Sequence, residues 1–216
     1  MASTAWKEPF ERGMAAGAAG DLAGALPHFR EAVRLAPSEP YPHYELGYTL
    51  FLLGEFDAAL LELRRTNELV EGFFVVQTEI YVCEAVLSGL IDLESLTIFR
   101  TLQRLTDAGR AQSPDAVASS RALVERAPAF AVGHHCLGKA LLRTDPKASE
   151  ESLQQCVALG PDDTTAIDAL AHIGVHRRNA GDAEAAHAIW SDTVQKYGTN
   201  PHVVPLKAFF MEIYPP

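Results

Sequence analysis

The sequence predicts an all-α protein built from tandem helix–turn–helix units. Two observations indicate this fold class. Residues 10–37 and 44–70 both carry apolar residues at helical spacing on either side of a Gly-acid turn. These turns begin at Gly20 and Gly54, 34 residues apart, which is the mark of an internal repeat. The whole chain, 1–216, is therefore expected to form one repeat domain.

The composition is that of a globular protein. Of 216 residues, 48% are hydrophobic and 21% are charged, and the formal net charge is -10. A disordered chain would carry fewer apolar residues. The negative charge disfavours nucleic acid and anionic membranes as partners, because both repel an acidic protein. No apolar run is long enough to span a bilayer, and no signal peptide is evident, so we expect a cytoplasmic protein.

The turn chemistry explains why each predicted unit folds as two helices. Glycine ends the first helix cheaply in a left-handed conformation, and the acid after it favours the start of the second helix. Small residues recur at Gly13 and Gly47 in the first helices and at Ala25 and Ala59 in the second, where paired backbones approach closely. Pro37 ends the first unit, because proline cannot continue a helix.

These features resemble the tetratricopeptide repeat, a 34-residue helix–turn–helix unit with small residues at fixed positions. Two C-terminal segments fit the same pattern, one with Gly138 and the other with Gly174 and Trp190. The resemblance implies a right-handed superhelical solenoid in which the first helix of each pair lines a concave groove. We assign four repeats, at 6–39, 40–72, 131–161 and 164–200.

The middle and the end of the chain depart from the repeat pattern. The middle, 73–129, contains three helix-like stretches, at 73–88, 92–109 and 114–127. An odd number of helices would reset the alternation of the solenoid, so two lobes joined by this middle are an alternative. The segment 202–214 is expected to form a helix that caps the last repeat, or alternatively a dimer contact.

One predicted helix, at 41–53, has two apolar faces. Leu46, Leu50 and Leu53 fall on one side and occupy the family's core positions. The opposite side is aromatic, and the resemblance places it in the groove, where tyrosine and phenylalanine suit peptide recognition. The alternative is packing against neighbouring repeats. The expected groove residues here, with their counterparts in the first repeat, are Tyr41, Tyr44, Tyr48, Phe51, Phe10 and Met14.

The C-terminal repeats predict a basic surface instead. His135, Lys139 and Arg143 recur at every fourth position of one predicted helix, and His172 and Arg178 are their approximate counterparts in the next repeat. Such cations suit an acidic segment or a chain-terminal carboxylate. The alternative is an ordinary solvated face.

No residue pattern indicates an enzyme, a cofactor or a metal. The sequence has no nucleophile elbow and no phosphate-binding loop. His172 and His176 form an i, i+4 pair, but no spacing fixes a third ligand. Cys83, Cys136 and Cys156 are irregularly spaced and are expected to be buried thiols, with a Cys136–Cys156 disulfide as the alternative.

The resemblance therefore predicts a non-enzymatic scaffold, adaptor or co-chaperone that binds a protein or peptide in its groove. The lysine and asparagine clamp with which some members of the family hold heat-shock chaperone tails is absent, since Phe10, Met14 and Glu45 stand in its place. The alternatives are a secretion-type or assembly chaperone for an apolar partner, and a self-assembling subunit such as a homodimer.

Overall fold

The computed structural model describes residues 4–70 and 76–206, and all regular secondary structure in them is helical. The predicted all-α fold class is therefore confirmed. The chain divides into two compact units, Met1–Leu87 and Ser88–Pro216. No helix in the described ranges combines the length and the apolar character that a membrane crossing requires.

The N-terminal unit is built from helices that pack one against the next along the chain. Its last described helix also packs against the third. The described helices of this unit are α1 (Lys7–Ala18), α2 (Leu22–Leu35), α3 (Pro40–Leu53), α4 (Phe56–Leu69) and α5 (Val76–Leu87).

The C-terminal unit follows the same rule of consecutive packing, and its third helix also contacts its fifth. Its described helices are α6 (Leu93–Asp107), α7 (Pro114–Arg126), α8 (Ala131–Leu141), α9 (Pro146–Ala158), α10 (Asp163–Asn179), α11 (Ala183–Lys196) and the short α12 (Val203–Leu206). Helices α5, α6 and α7 lie within the three stretches expected in the middle of the chain. The superhelical handedness and the two-lobed alternative stay predictions.

The turns between paired helices form as the glycine pattern predicts. Gly20 and Gly54 both adopt left-handed backbone conformations, with φ of 82° and 84°. Asp21 then caps α2, because its side chain accepts a hydrogen bond from the Gly24 amide at 2.8 Å. Glu55 makes no such bond at the start of α4, so the two acids after the turn act differently.

The same close contact joins the two helices of four pairs. In each pair a glycine on the first helix lies under a large side chain of the second, and a Cβ added there would come within 2.0 to 2.9 Å of that side chain. Any larger residue would push the helices apart. The four contacts are Gly13 with Phe29, Gly47 with Leu63, Gly138 with Leu153, and Gly174 with Trp190.

The predicted apolar face of α3 and the predicted C-terminal cap are each buried in part. Leu46 and Leu50 are buried as expected, but Leu53 is 39% exposed, because it is the last residue of α3 before the chain turns at Gly54. At the other end of the chain, Val203 is buried against Ala166, Ile167 and Tyr197. The rest of the expected capping helix, 207–214, lies outside the described residues.

Candidate binding surfaces

The aromatic surface of the N-terminal unit consists of Tyr41, Tyr44 and Tyr48 on α3. The rings of Tyr44 and Tyr48 are stacked, with centroids 6.0 Å apart and an interplanar angle of 9°. Both side chains are half-buried, whereas Tyr41 is 53% exposed. Burial, followed by the charges of Glu79 and Glu45, raises the pKa of Tyr44, so its phenol stays protonated and is a neutral hydrogen-bonding group.

Phe51 does not belong to this surface, and the prediction that it lines the groove is wrong. Its side chain is fully buried, and its ring centroid lies 6.4 Å from that of Tyr48 and 6.0 Å from that of Phe56. Since Phe56 lies at the start of α4, Phe51 packs in the helix pair below the tyrosines. It supports Tyr48 from beneath and presents no area to a ligand.

The first repeat extends the surface in part. Met14 is 43% exposed and follows Gly13, just as Tyr48 follows Gly47, so the two side chains occupy corresponding places on α1 and α3. Phe10 is half-buried, and its ring centroid lies 5.9 Å from that of Phe29 in the helix pair. Met14 is thus the more accessible of the two residues.

Two carboxyl groups, Glu45 on α3 and Glu79 on α5, interact electrostatically with the Tyr44 phenol and with each other, and we refer to them as the acidic pair. No sequence motif indicates this pair. Glu79 is only 5% exposed, and its Oε2 atom has no hydrogen-bond partner among the residues that the structure describes. Burial, and then the charge of Glu45, raises the pKa of Glu79 to about 8. Burial also raises the pKa of Glu45. Glu79 lies in the middle segment, where no repeat register assigns it a position.

The predicted basic surface of the C-terminal unit is built around a carboxylate. Asp168 on α10 lies 2.7 Å from Nε2 of His135 and 2.9 Å from Nζ of Lys139, both on α8. The Lys139 ammonium also donates to Nε2 of His172 at 2.9 Å. An internal acid therefore already pairs with these side chains, and binding of an acidic ligand at this surface stays a prediction.

Electrostatics in this basic cluster follow from its geometry. Burial raises the pKa of Asp168, but the hydrogen bond from His135 and the charges of His135, Lys139 and His172 outweigh it and hold that pKa well below its usual range. Burial and the Lys139 charge lower the pKa of His172 to about 4, so its ring is neutral at pH 7. Asp168 precedes His172 by four residues, and this spacing on one helix face was the available sequence signal.

The two remaining basic residues of the predicted surface are Arg143 and Arg178. Arg143 is exposed and lines a shallow cavity with the loop at 109–113. It makes no ion pair with any side chain in the described ranges. Arg178 is half-buried at the end of α10. That all five predicted cations line one surface stays a prediction.

His176 and two of the cysteines pack between the helices of the C-terminal unit, where they are hydrogen-bonded or buried. Nε2 of His176 lies 2.9 Å from the Ser149 hydroxyl, which itself donates to the Gly138 carbonyl at 2.8 Å. Cys136 and Cys156 are free thiols whose pKa burial raises to about 12. Such thiols are poor nucleophiles. Within the described residues, no group of three or more His, Cys, Asp or Glu side chains is placed to hold a metal.

Comparison with solved structures finds tetratricopeptide-repeat (TPR) proteins that align with most of this chain. MamA from Desulfovibrio magneticus RS-1 is 19% identical, with 93% of this chain and 99% of that chain covered and a TM-score of 0.41. YrrB, a TPR protein with an unusual peptide-binding site, is 11% identical, with 91% and 88% covered and a TM-score of 0.41. The TPR2AB domain of yeast Sti1, in a complex with pHSP90, is 13% identical, with 94% of each chain covered and a TM-score of 0.44. No protein-family model matches the chain, and no curated protein matches it significantly.

The helix pairs themselves carry the fold assignment. Four of them repeat one glycine contact, and left-handed glycines end α1, α3 and α10 at Gly20, Gly54 and Gly181. The chain has the fold of tandem tetratricopeptide repeats. In this TPR arrangement α1, α3, α8 and α10 are the first helices of their pairs, so the aromatic surface and the basic cluster both lie on first helices.

Proposed function

We propose that this TPR chain is a non-enzymatic scaffold that binds a segment of another protein on the aromatic surface of its N-terminal unit. The observation that carries the proposal is the Tyr44–Tyr48 stack, together with the exposed Tyr41 three residues earlier on the same helix. Tyrosines suit this role because a rigid ring buries a large area at a small entropic cost, while the hydroxyl adds a polar contact.

The surroundings of the stack also support a binding role. His43 fixes α3 to α4, since its Nδ1 lies 2.6 Å from Oε2 of Glu62 and its Nε2 lies 3.1 Å from the Pro37 carbonyl. Phe51 supports the stack from below. A site held in place before its ligand arrives loses less entropy on binding than a flexible one.

The test compares capture of partners from a lysate of the source organism by three baits. The baits are the wild-type chain, the Tyr44→Ala/Tyr48→Ala variant and the Tyr41→Ser/Met14→Ser variant. Because Tyr41 and Met14 are the more exposed residues, the second variant removes apolar area at little cost to the fold. We expect a partner held by the wild type to be lost from both variants while helix content, measured by circular dichroism, is kept.

The matched control is Leu61→Ala, which removes a 69% exposed apolar side chain from α4 of the same unit. This variant should retain the partner. If all variants hold the same partners as the wild type, the aromatic surface is not the binding site. A wild-type chain that captures only copies of itself would replace the scaffold with a self-assembling subunit.

A further inference from the structure

Glu79 is a buried carboxyl group for which the described residues of the N-terminal unit supply no cation. The residue is 5% exposed, and its Oε2 atom has no donor within the described ranges 4–70 and 76–206. Buried polar atoms are usually hydrogen-bonded, and buried carboxylates are usually paired with a cation. An isolated buried carboxylate is costly, and burial shifts it toward its protonated form.

The neighbours of Glu79 add negative charge and do not offset it. Because α5 packs against α3, Glu79 interacts electrostatically with Glu45 and with the Tyr44 phenol. Neither carboxyl group of the acidic pair makes an ion pair with a Lys, Arg or His side chain of the described residues. Glu84, on the same helix, shows the ordinary arrangement, since it lies 2.8 Å from the Arg64 guanidinium.

We infer that the acidic pair, Glu45 and Glu79, receives a lysine or arginine side chain from the bound partner segment. This inference rests on the proposed function and narrows it to partners with a basic residue among apolar ones. The incoming cation reaches the half-buried Glu45 directly, and its charge favours the ionised form of the buried Glu79. The adjacent faces of Tyr44 and Tyr48 also attract an ammonium or guanidinium group.

Charge on a larger scale favours the same kind of partner. The chain carries a net charge of -10, so its long-range field attracts basic segments and repels acidic ones. A dehydrated metal ion is a poorer match for two carboxyl groups, because hard cations such as Ca²⁺ take six or more oxygen ligands. An organic cation needs only the acidic pair and the aromatic faces.

The experiment uses the full chain and labelled nonapeptide pools with random flanking positions. The central residue of each pool is fixed as Arg, Lys, Gln or Glu, and affinities are measured by fluorescence anisotropy. We expect the wild type to bind the Arg and Lys pools about tenfold more tightly than the Gln pool and to bind the Glu pool most weakly, since a charge-assisted hydrogen bond is worth roughly 1.5–3 kcal/mol.

Matched variants separate a specific site from general attraction to an acidic protein. At pH 9, where the Glu79 carboxyl is mostly ionised, Glu79→Gln and Glu84→Gln each remove one negative charge from the same helix, so all affinities are measured at that pH. The preference for Arg over Gln should fall to about twofold in Glu79→Gln and in Glu45→Gln, while Glu84→Gln keeps it, because only a direct contact depends on which charge is removed.

Three results would overturn the inference. They are equal affinity for all four pools, binding of no pool, and a basic preference that Glu79→Gln leaves intact. These outcomes leave the proposed function to its own test, because loss of a captured partner from Tyr44→Ala/Tyr48→Ala does not depend on the partner's charge. Equal affinity for all pools together with that loss would mean that the surface binds protein without the acidic pair.

Discussion

At the scale of single residues, Glu79 connects the stability of the N-terminal unit to its candidate site. Burial and the neighbouring Glu45 raise its pKa from 4.5 to about 8. Between these two values the folded chain keeps the Glu79 proton, whereas the unfolded chain has released it. The contribution of Glu79 to stability is therefore fully present below pH 4.5 and is lost as the pH rises through 8.

Replacing Glu79 with glutamine should stabilise the protein at high pH. Glutamine resembles the protonated acid in shape and cannot ionise, so the cost of charging a buried carboxyl disappears. We expect Glu79→Gln to raise the free energy of unfolding by roughly 2–4 kcal/mol at pH 8 and by less than about 1 kcal/mol at pH 5. Urea titrations followed by circular dichroism at both pH values measure this difference.

Glu84→Gln is the control for this titration. Glu84 is 46% exposed in its ion pair with Arg64, and exposed pairs contribute little. Its loss should change stability by less than about 1 kcal/mol, with no growth between pH 5 and pH 8. A Glu79→Gln variant that is as stable as the wild type at pH 8 would mean that the Glu79 carboxylate has a partner in solution.

Gly174 gives a second prediction at the residue scale. A Cβ at this position would lie 2.0 Å from Nε1 of Trp190, whose buried indole has little room to move. Gly174→Ala should lower the free energy of unfolding by about 1–3 kcal/mol, despite the better helix propensity of alanine. Thermal unfolding of the purified variant measures the loss.

Gly17→Ala provides the opposite case. Gly17 lies inside α1, and a Cβ there would meet nothing within 4 Å. This substitution should raise stability by about 0.5–1 kcal/mol, because alanine is the better helix former. Equal effects of Gly17→Ala and Gly174→Ala would contradict the close packing of Gly174 against Trp190.

At the scale of helices, a serine at the place that Ala25, Ala59 and Ala186 take in the other helix pairs links α9 to two neighbours. Ser149 is fully buried, and its hydroxyl donates to the Gly138 carbonyl of α8 at 2.8 Å. The hydroxyl has one proton, so the 2.9 Å contact with His176 requires Nε2 of that ring to be the donor. Burial lowers the pKa of His176, which favours the neutral ring in this place.

Ser149→Ala should therefore destabilise the C-terminal unit, although alanine fits the repeat pattern better. Both His176 and the Gly138 carbonyl lose a partner away from solvent, which costs about 1–3 kcal/mol. Ser152→Ala is the matched control on the same helix, since its hydroxyl only returns to the Ala148 carbonyl of its own helix and should matter by less than about 0.5 kcal/mol. Urea unfolding measures both, and equal stability of the two variants would contradict this hydrogen-bond chain.

Helix α3 shows what sequence reasoning predicts at this scale and where it stops. The end of α3 at Gly54 is predictable, because glycine readily adopts the left-handed backbone conformation found there. The contact of Gly47 with Leu63 is predictable as well, because only a residue without a side chain fits there. The placement of Phe51 does not follow, because a helix with two apolar faces gives no sign of which edge residue the next helix covers. That choice is made by the packing of α4, through Phe56.

At the scale of the whole molecule, side chains from helices that are not consecutive in the chain determine both candidate sites. The partnership of His135 with Asp168 joins residues 33 positions apart, and the acidic pair joins α3 to α5. A repeat pattern assigns each residue a place within its own unit, but it does not say which side chain of the next unit lies opposite. The fold was therefore predictable from the sequence, whereas the charges that meet at the sites were not.

The two compact units should respond to acid and base in different ways. In the C-terminal unit, the pKa of His172 falls from 6.5 to about 4. Between these values His172 is protonated in the unfolded chain and neutral in the folded chain. Stability therefore decreases as the pH falls below 6.5. In the N-terminal unit, Glu79 decreases stability as the pH rises above 4.5.

Tryptophan fluorescence can follow the acid response of the C-terminal unit alone. The chain has two tryptophans, Trp6 and Trp190, so Trp6→Phe leaves the buried Trp190 as the only reporter. We expect the free energy of unfolding, measured by urea titration of this variant, to fall by about 1–2 kcal/mol between pH 7 and pH 5. His172→Gln in the same background should reduce this fall, and an unchanged fall would assign the acid response to other groups.

Site-specific photocrosslinking tests the central claim, that the aromatic surface binds a partner protein, most directly. A photoreactive phenylalanine analogue would replace Tyr41, Leu61 or Arg143, which are exposed positions on α3, on α4 and in the C-terminal unit. After irradiation in lysate, we predict that position 41 crosslinks a partner and that position 61 does not. Crosslinking from position 143 alone, or equally from positions 41 and 61, would contradict the proposed surface.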